Sequence, residues 1–89
     1  MTTNFLCNGK TYSAELVAIL FVEVEDDVYN LYVDVAQHIA LLVNKDYKVI
    51  NTKHLESWQQ DILVEDDKTD EEMAKADEVI DSLRKYWEI

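Results

Sequence analysis

Asp66, Asp67, Asp70, Glu71 and Glu72 put five carboxylates into seven consecutive positions, and clustered carboxylate oxygens are what hard cations such as calcium take as ligands. An EF-hand loop needs oxygen ligands at alternate positions, a glycine at its sixth residue for the sharp turn and a glutamate at its twelfth. Counted from Asp66, Glu71 stands where the glycine belongs and Asp77 at the twelfth place, so the motif fails. Zinc needs three or four nitrogen and sulfur ligands in paired spacing, and Cys7, His38 and His54 stand alone. One glycine in the chain excludes the phosphate-cradling P-loop and the dinucleotide fingerprint, whose glycines let the backbone approach the ligand. General acid-base work by two carboxylates needs a concave pocket that shifts their pKa values, which a helical domain of this size seldom encloses. No cofactor or metal is therefore expected, and the chain is not expected to be an enzyme.

The carboxylates have two other uses. Thr69 followed three residues later by Glu72 is a capping box, and Asp70, Glu71 and Glu72 in the first helical turn stabilise its orphan amides. Capping does not account for Asp77, Glu78, Asp81 and Glu88. On a helix, Asp77 and Asp81 lie about 6 Å apart along the axis, whereas one DNA strand carries a phosphate per ~3.4 Å. Imitation of a duplex would thus need a second contribution, from Glu65, Asp66 and Asp67 or from Asp26, Asp27 and Asp34. A symmetric homodimer would also lengthen the charged face.

The elements that must position these groups follow from periodicity. Asn8-Gly9 is the favoured pair for a two-residue hairpin turn, which predicts a small β-hairpin over residues 4–12. Ser13 then caps a helix over about 14–24 carrying Leu16, Val17, Leu20 and Val24, although the β-branched residues and the alternation Val22-Glu23-Val24-Glu25 argue for a strand. Val28, Leu31, Tyr32, Val35, Ile39, Leu42 and Val43 fall at helical spacing, predicting a central helix over 27–43 with Asp26 or Asp27 as N-cap and Asn44 as its stop. A connector follows, with a short extended piece at Lys48-Val49-Ile50. Asn51 or Thr52 would cap a third helix over 52–63, and 70–88 reads as the last, with Met73, Ala76, Ile80, Leu83 and Trp87 on its apolar stripe. The expected fold is mainly α with a small N-terminal hairpin, a single three- to four-helix domain over 1–89.

Composition selects the partner. Nineteen Asp and Glu against eight Lys and Arg give a formal net charge of -11 on 89 residues, beyond the magnitude of roughly 2 to 8 that solubility asks of a small domain. The excess repels bare nucleic acid and anionic membranes and attracts proteins with basic grooves. Hydrophobic residues make up 48% of the chain, ample for a core, so disorder is disfavoured. One cysteine gives no internal disulfide, the N-terminus has no basic region before an apolar stretch, and no apolar run reaches the ~18 residues of a membrane span. These features point to the cytoplasm.

In size and charge the chain resembles the small acidic DNA-mimic proteins that phages and other mobile elements use to block restriction enzymes, repair glycosylases and other DNA-binding proteins. It carries no motif of theirs. The resemblance implies a non-enzymatic inhibitor of a basic nucleic-acid-binding protein, contacted through Glu65, Asp66, Asp67, Asp70, Asp77, Glu78 and Asp81, with Asp26, Asp27 and Asp34 as a further patch. The same character fits an immunity protein against a nuclease toxin. A different class, an acidic adaptor or assembly subunit, would instead use an apolar face around Tyr86 and Trp87.

Overall fold

The computed structural model describes residues 2–22 and 27–89. Strands β1 (Thr3–Cys7), β2 (Lys10–Val22), β3 (Asp27–Asp34), β4 (Ile39–Val43) and β5 (Val49–His54) are followed by helices α1 (Ser57–Val64) and α2 (Asp70–Trp87). The strands form one antiparallel meander in chain order, and the sheet curls until β1 approaches β5.

The N-terminal hairpin is as expected. Asn8 and Gly9 adopt φ values of 52° and 76°, the paired positive φ of a type I′ turn, and Cys7 faces Lys10 across it. Open space surrounds the position of a Cβ on Gly9, so glycine serves backbone conformation there and not packing.

Where a helix was expected over 14–24, β2 runs to Val22, with Glu23 and Val24 lying outside the described residues; where one was expected over 27–43 stand β3 and β4; and the mainly α, three- to four-helix fold gives way to a five-stranded sheet with two helices. The physical reason lies in β2 and in double-sided burial. Leu16 pairs with Tyr32 and Ala18 with Leu31, leaving Val17 as the extra residue of a β-bulge. A bulge inverts the alternation of faces. Tyr12 and Ala14 therefore join one apolar cluster, with Phe5, Tyr32, Leu41 and Val43, whereas Leu20 joins the other, with Leu31, Val33, Ala40 and Leu42. In β3 and β4 both faces are covered, so Leu31, Tyr32 and Val33 are all buried, as are Ala40 to Val43. Strands buried on both sides lose their period of two, and the apolar positions then coincide with a helical spacing by chance.

Turn chemistry replaced the expected helix signals. Asn44, expected as a helix stop, accepts the backbone N–H groups of Asp46 and Lys48 through its Oδ1 and shapes the β4–β5 hairpin, with Tyr47 at φ 61°. Asn51 and Thr52, expected as caps, lie inside β5. The third helix starts later, at Ser57, behind a capping box in which Glu56 and Gln59 satisfy each other's backbone N–H.

The last helix is as expected, with the Thr69–Glu72 capping box in place. Its buried positions are Ala76, Val79, Leu83 and Trp87; Ile80 is half-buried and Met73 exposed. Together with Leu55 and Leu63 they cover the Leu31/Val33/Ala40/Leu42 face of the sheet. Trp87 is buried and its indole N–H donates to the Thr52 carbonyl at 3.4 Å, while Arg84 Nη2 donates to the Phe21 carbonyl at 2.9 Å. These two contacts seat the end of α2 between β5 and β2. Among the described residues no helix is long and apolar enough to cross a membrane.

Candidate acidic interface

Burying one side of α2 turns the other to solvent, and the exposed residues of its first twelve positions include Asp70, Glu71, Asp77, Glu78 and Asp81. At about 100° per residue, Asp70, Asp77 and Asp81 fall within about 40° of one another, with Glu71 and Glu78 alongside. The five carboxylates span about 17 Å of axis as two pairs and a single group, with gaps of about 9 Å from Glu71 to Asp77 and about 5 Å from Glu78 to Asp81, sparser than the ~3.4 Å of phosphates along one DNA strand. Lys75 interrupts the row one turn from both Glu71 and Glu78, and of the other cations of the helix, Arg84 and Lys85 in its last turn, Lys85 lies one turn beyond Asp81.

Glu65, Asp66 and Asp67 precede the helix. They are exposed and lie at the α1–α2 corner. Lys68 closes that corner by donating to the carbonyls of Glu65 at 2.6 Å and Leu63 at 3.5 Å. Glu65 and Glu72 carboxyls share a hydrogen bond across it, which raises the pKa of Glu65 and lowers that of Glu72; the Thr69 backbone N–H and hydroxyl lower Glu72 further. Lys68 lowers both.

The remaining sequence candidates separate. Asp27 is half-buried at the start of β3, where its carboxylate accepts the Val28 N–H at 2.8 Å. It lies near the far end of α2, since Arg84 binds the carbonyl of Phe21, the partner of Val28. Asp34 is 1% exposed and spends its carboxylate inside the fold, accepting from the Ser13 N–H, the Gln37 N–H and Gln37 Nε2 at 3.1, 3.1 and 2.9 Å. It offers nothing to a partner. Asp26 lies outside the described residues. The apolar surface expected around Tyr86 and Trp87 is divided: Trp87 is core, and exposed Tyr86 carries the Lys53 ammonium 5.1 Å from its ring centroid.

Sequence reasoning missed the strip beside the bulge. Glu15, Leu16 and Val17 face Leu63, Val64, Glu65 and Asp66 across a cleft of about 260 Å³, and a second hollow on the other side of Leu16 is lined by Thr3, Tyr32 and again Glu15 and Asp66. These groups are far apart in the chain and only the folded sheet joins them. The exposed alternation of Ile19 and Phe21 was the signal available. Among the described residues no group of three or more His, Cys, Asp or Glu is placed to hold a metal ion; His38 and His54 rings lie 6.4 Å apart.

Comparison with protein-family models, with curated proteins and with solved structures finds no match to this chain.

Proposed function

We propose that this chain is a cytoplasmic, non-enzymatic inhibitor that occupies the basic site of a nucleic-acid-binding protein, presenting the α2 stripe and the α1–α2 corner where that site would take a phosphate backbone. The observation that carries this reading is the row of carboxylates Asp70, Glu71, Asp77, Glu78 and Asp81 on the exposed side of one rigid helix. Lys75, four residues after Glu71 and three before Glu78, and Lys85, four after Asp81, offset part of it, and other cations of the chain are engaged elsewhere. Arg84 is engaged with a backbone carbonyl, Lys68 with two, and Lys10 and Lys53 lie over tyrosine rings. Complementary charge of this kind speeds encounter and makes affinity fall with salt.

The test is capture from a cell lysate on the immobilised full chain, followed by elution with duplex DNA at constant ionic strength. Recovery of nucleic-acid-binding proteins that the duplex displaces supports the reading. Recovery of a partner that is indifferent to duplex overturns it and favours an adaptor.

A further inference from the structure

Among the described residues β1 pairs with β2 only over Lys10–Ala14, and from Glu15 to Val22 the long strand has a described strand neighbour, β3, on one side only. Such an edge presents unpaired backbone groups to any chain that can lie beside it. Natural edges are usually blunted by charge, proline or a short strand, yet here the run carries Leu16, Ile19 and Phe21, which are 48%, 52% and 66% exposed. Among the described residues, only Arg84, bound to the Phe21 carbonyl, touches this edge from the helical layer by a hydrogen bond. A strand laid along it would have two unlike sides. On the side of Ile19 and Phe21 it would meet apolar surface. On the helical side it would meet the cleft between Val17 and the end of α1, a polar hollow in which Glu15, Glu65 and Asp66 outnumber the one cation, Lys68.

We infer that this edge of β2 is a docking site for an extended segment of the partner in which apolar residues alternate with lysine or arginine, added to the sheet as a sixth strand. The period of two in a strand sends alternate side chains to opposite faces, so an alternating basic and apolar segment matches both sides at once. Backbone hydrogen bonds would supply affinity and the acidic excess of the cleft would supply selectivity for a cation. Charge decides the occupant. A second copy would bring another body of net charge -11 against Glu15, whereas a cationic segment is attracted along its whole approach. The inference rests on the partner being basic, and it adds where that partner's chain lies.

The experiment is amide hydrogen exchange by NMR on the full chain with an acetylated, amidated peptide of four Lys-Val repeats as the probe. At saturating peptide, amides between Glu15 and Val22 that face away from β3 should slow by at least ~10-fold, and the double variant Ile19→Thr, Phe21→Thr should lose this protection while keeping its own sheet. The variant Asp77→Asn, Glu78→Gln, Asp81→Asn should retain it, which separates this site from the helical face. Three outcomes overturn the inference: no protection of the edge, peptide-induced changes confined to α2, or edge protection that grows with protein concentration in the absence of peptide, which would assign the edge to a second copy. If the edge fails while lysate proteins are still displaced by duplex DNA, the inhibitor reading stands and only the docking site falls.

Discussion

The carboxylate of Asp34 accepts the backbone N–H of Ser13 at 3.1 Å, tying the end of β3 to β2 across a sequence separation of 21 residues. The same carboxylate holds the Gln37 backbone and side chain, so it fixes the β3–β4 turn as well. Removing the acceptor leaves these partly buried donors without it. Asp34→Ala should therefore destabilise the chain by about 3 kcal/mol, since each unsatisfied buried donor costs roughly 1 to 3. Chemical denaturation checks this. Partner capture by Asp34→Asn, for as long as that variant is folded, should match the parent.

The Glu65–Glu72 pair gives a pH signature. The folded pKa of Glu65 lies above its ordinary value of 4.5, so the folded state binds a proton more readily than the unfolded state. The Glu65 contribution is thus fully present below that ordinary value and is lost as pH rises through the folded pKa. Glu72 runs the other way: its lowered folded pKa contributes stability above the ordinary value, lost as pH falls through the folded one. In Glu65→Gln the carboxylate repulsion is absent. Its melting temperature should exceed that of the parent at pH 7, and the gap should narrow as the pH is brought below 4.5.

Thr69 Oγ1 accepts the Glu72 N–H at 3.2 Å while the Glu72 carboxylate accepts the Thr69 N–H at 3.1 Å. Loss of an N-cap hydroxyl costs about 1 kcal/mol. Thr69→Ala should lower stability by that amount and fray the first turn of α2, read as faster amide exchange at residues 70–73.

Trp87 is 7% exposed inside the subunit. Deleting residues 87–89 should cost several kcal/mol, since loss of a buried aromatic side chain typically costs about 3 to 5. Because the ring is buried within one subunit, the stability lost on truncation should be the same at every protein concentration. A truncated chain of equal stability would contradict this placement.

The ends of the chain were the legible parts. At Asn8-Gly9 and at Thr69–Glu72 local chemistry alone specifies the structure, and a hairpin and a helix form where the residues demand them. The middle was not legible, for a physical reason visible in Leu31, Tyr32 and Val33. All three are buried because helices cover one side of β3 and the curled sheet closes over the other. The bulge at Val17 then shifts the alternation of β2, so neither half of that strand announces its face. Of the candidate site, Glu65, Asp66, Asp67, Asp70, Asp77, Glu78 and Asp81 were legible as surface because they belong to α2 or its approach. Asp34 was not, because its burial depends on Ser13 and Gln37 meeting it, and the Glu15 cleft was invisible because the groups around it meet only in the fold.

The most direct measurement is capture of duplex-displaceable proteins by the variant Asp77→Asn, Glu78→Gln, Asp81→Asn, compared with the parent at physiological ionic strength. All three residues are exposed and none belongs to the core of α2, so the circular dichroism spectrum and melting should be retained. If the α2 stripe stands in for a phosphate backbone, affinity for those proteins should fall at least ~10-fold, about 1.4 kcal/mol, with a shallower salt dependence. Capture of undiminished affinity and unchanged salt slope would contradict it.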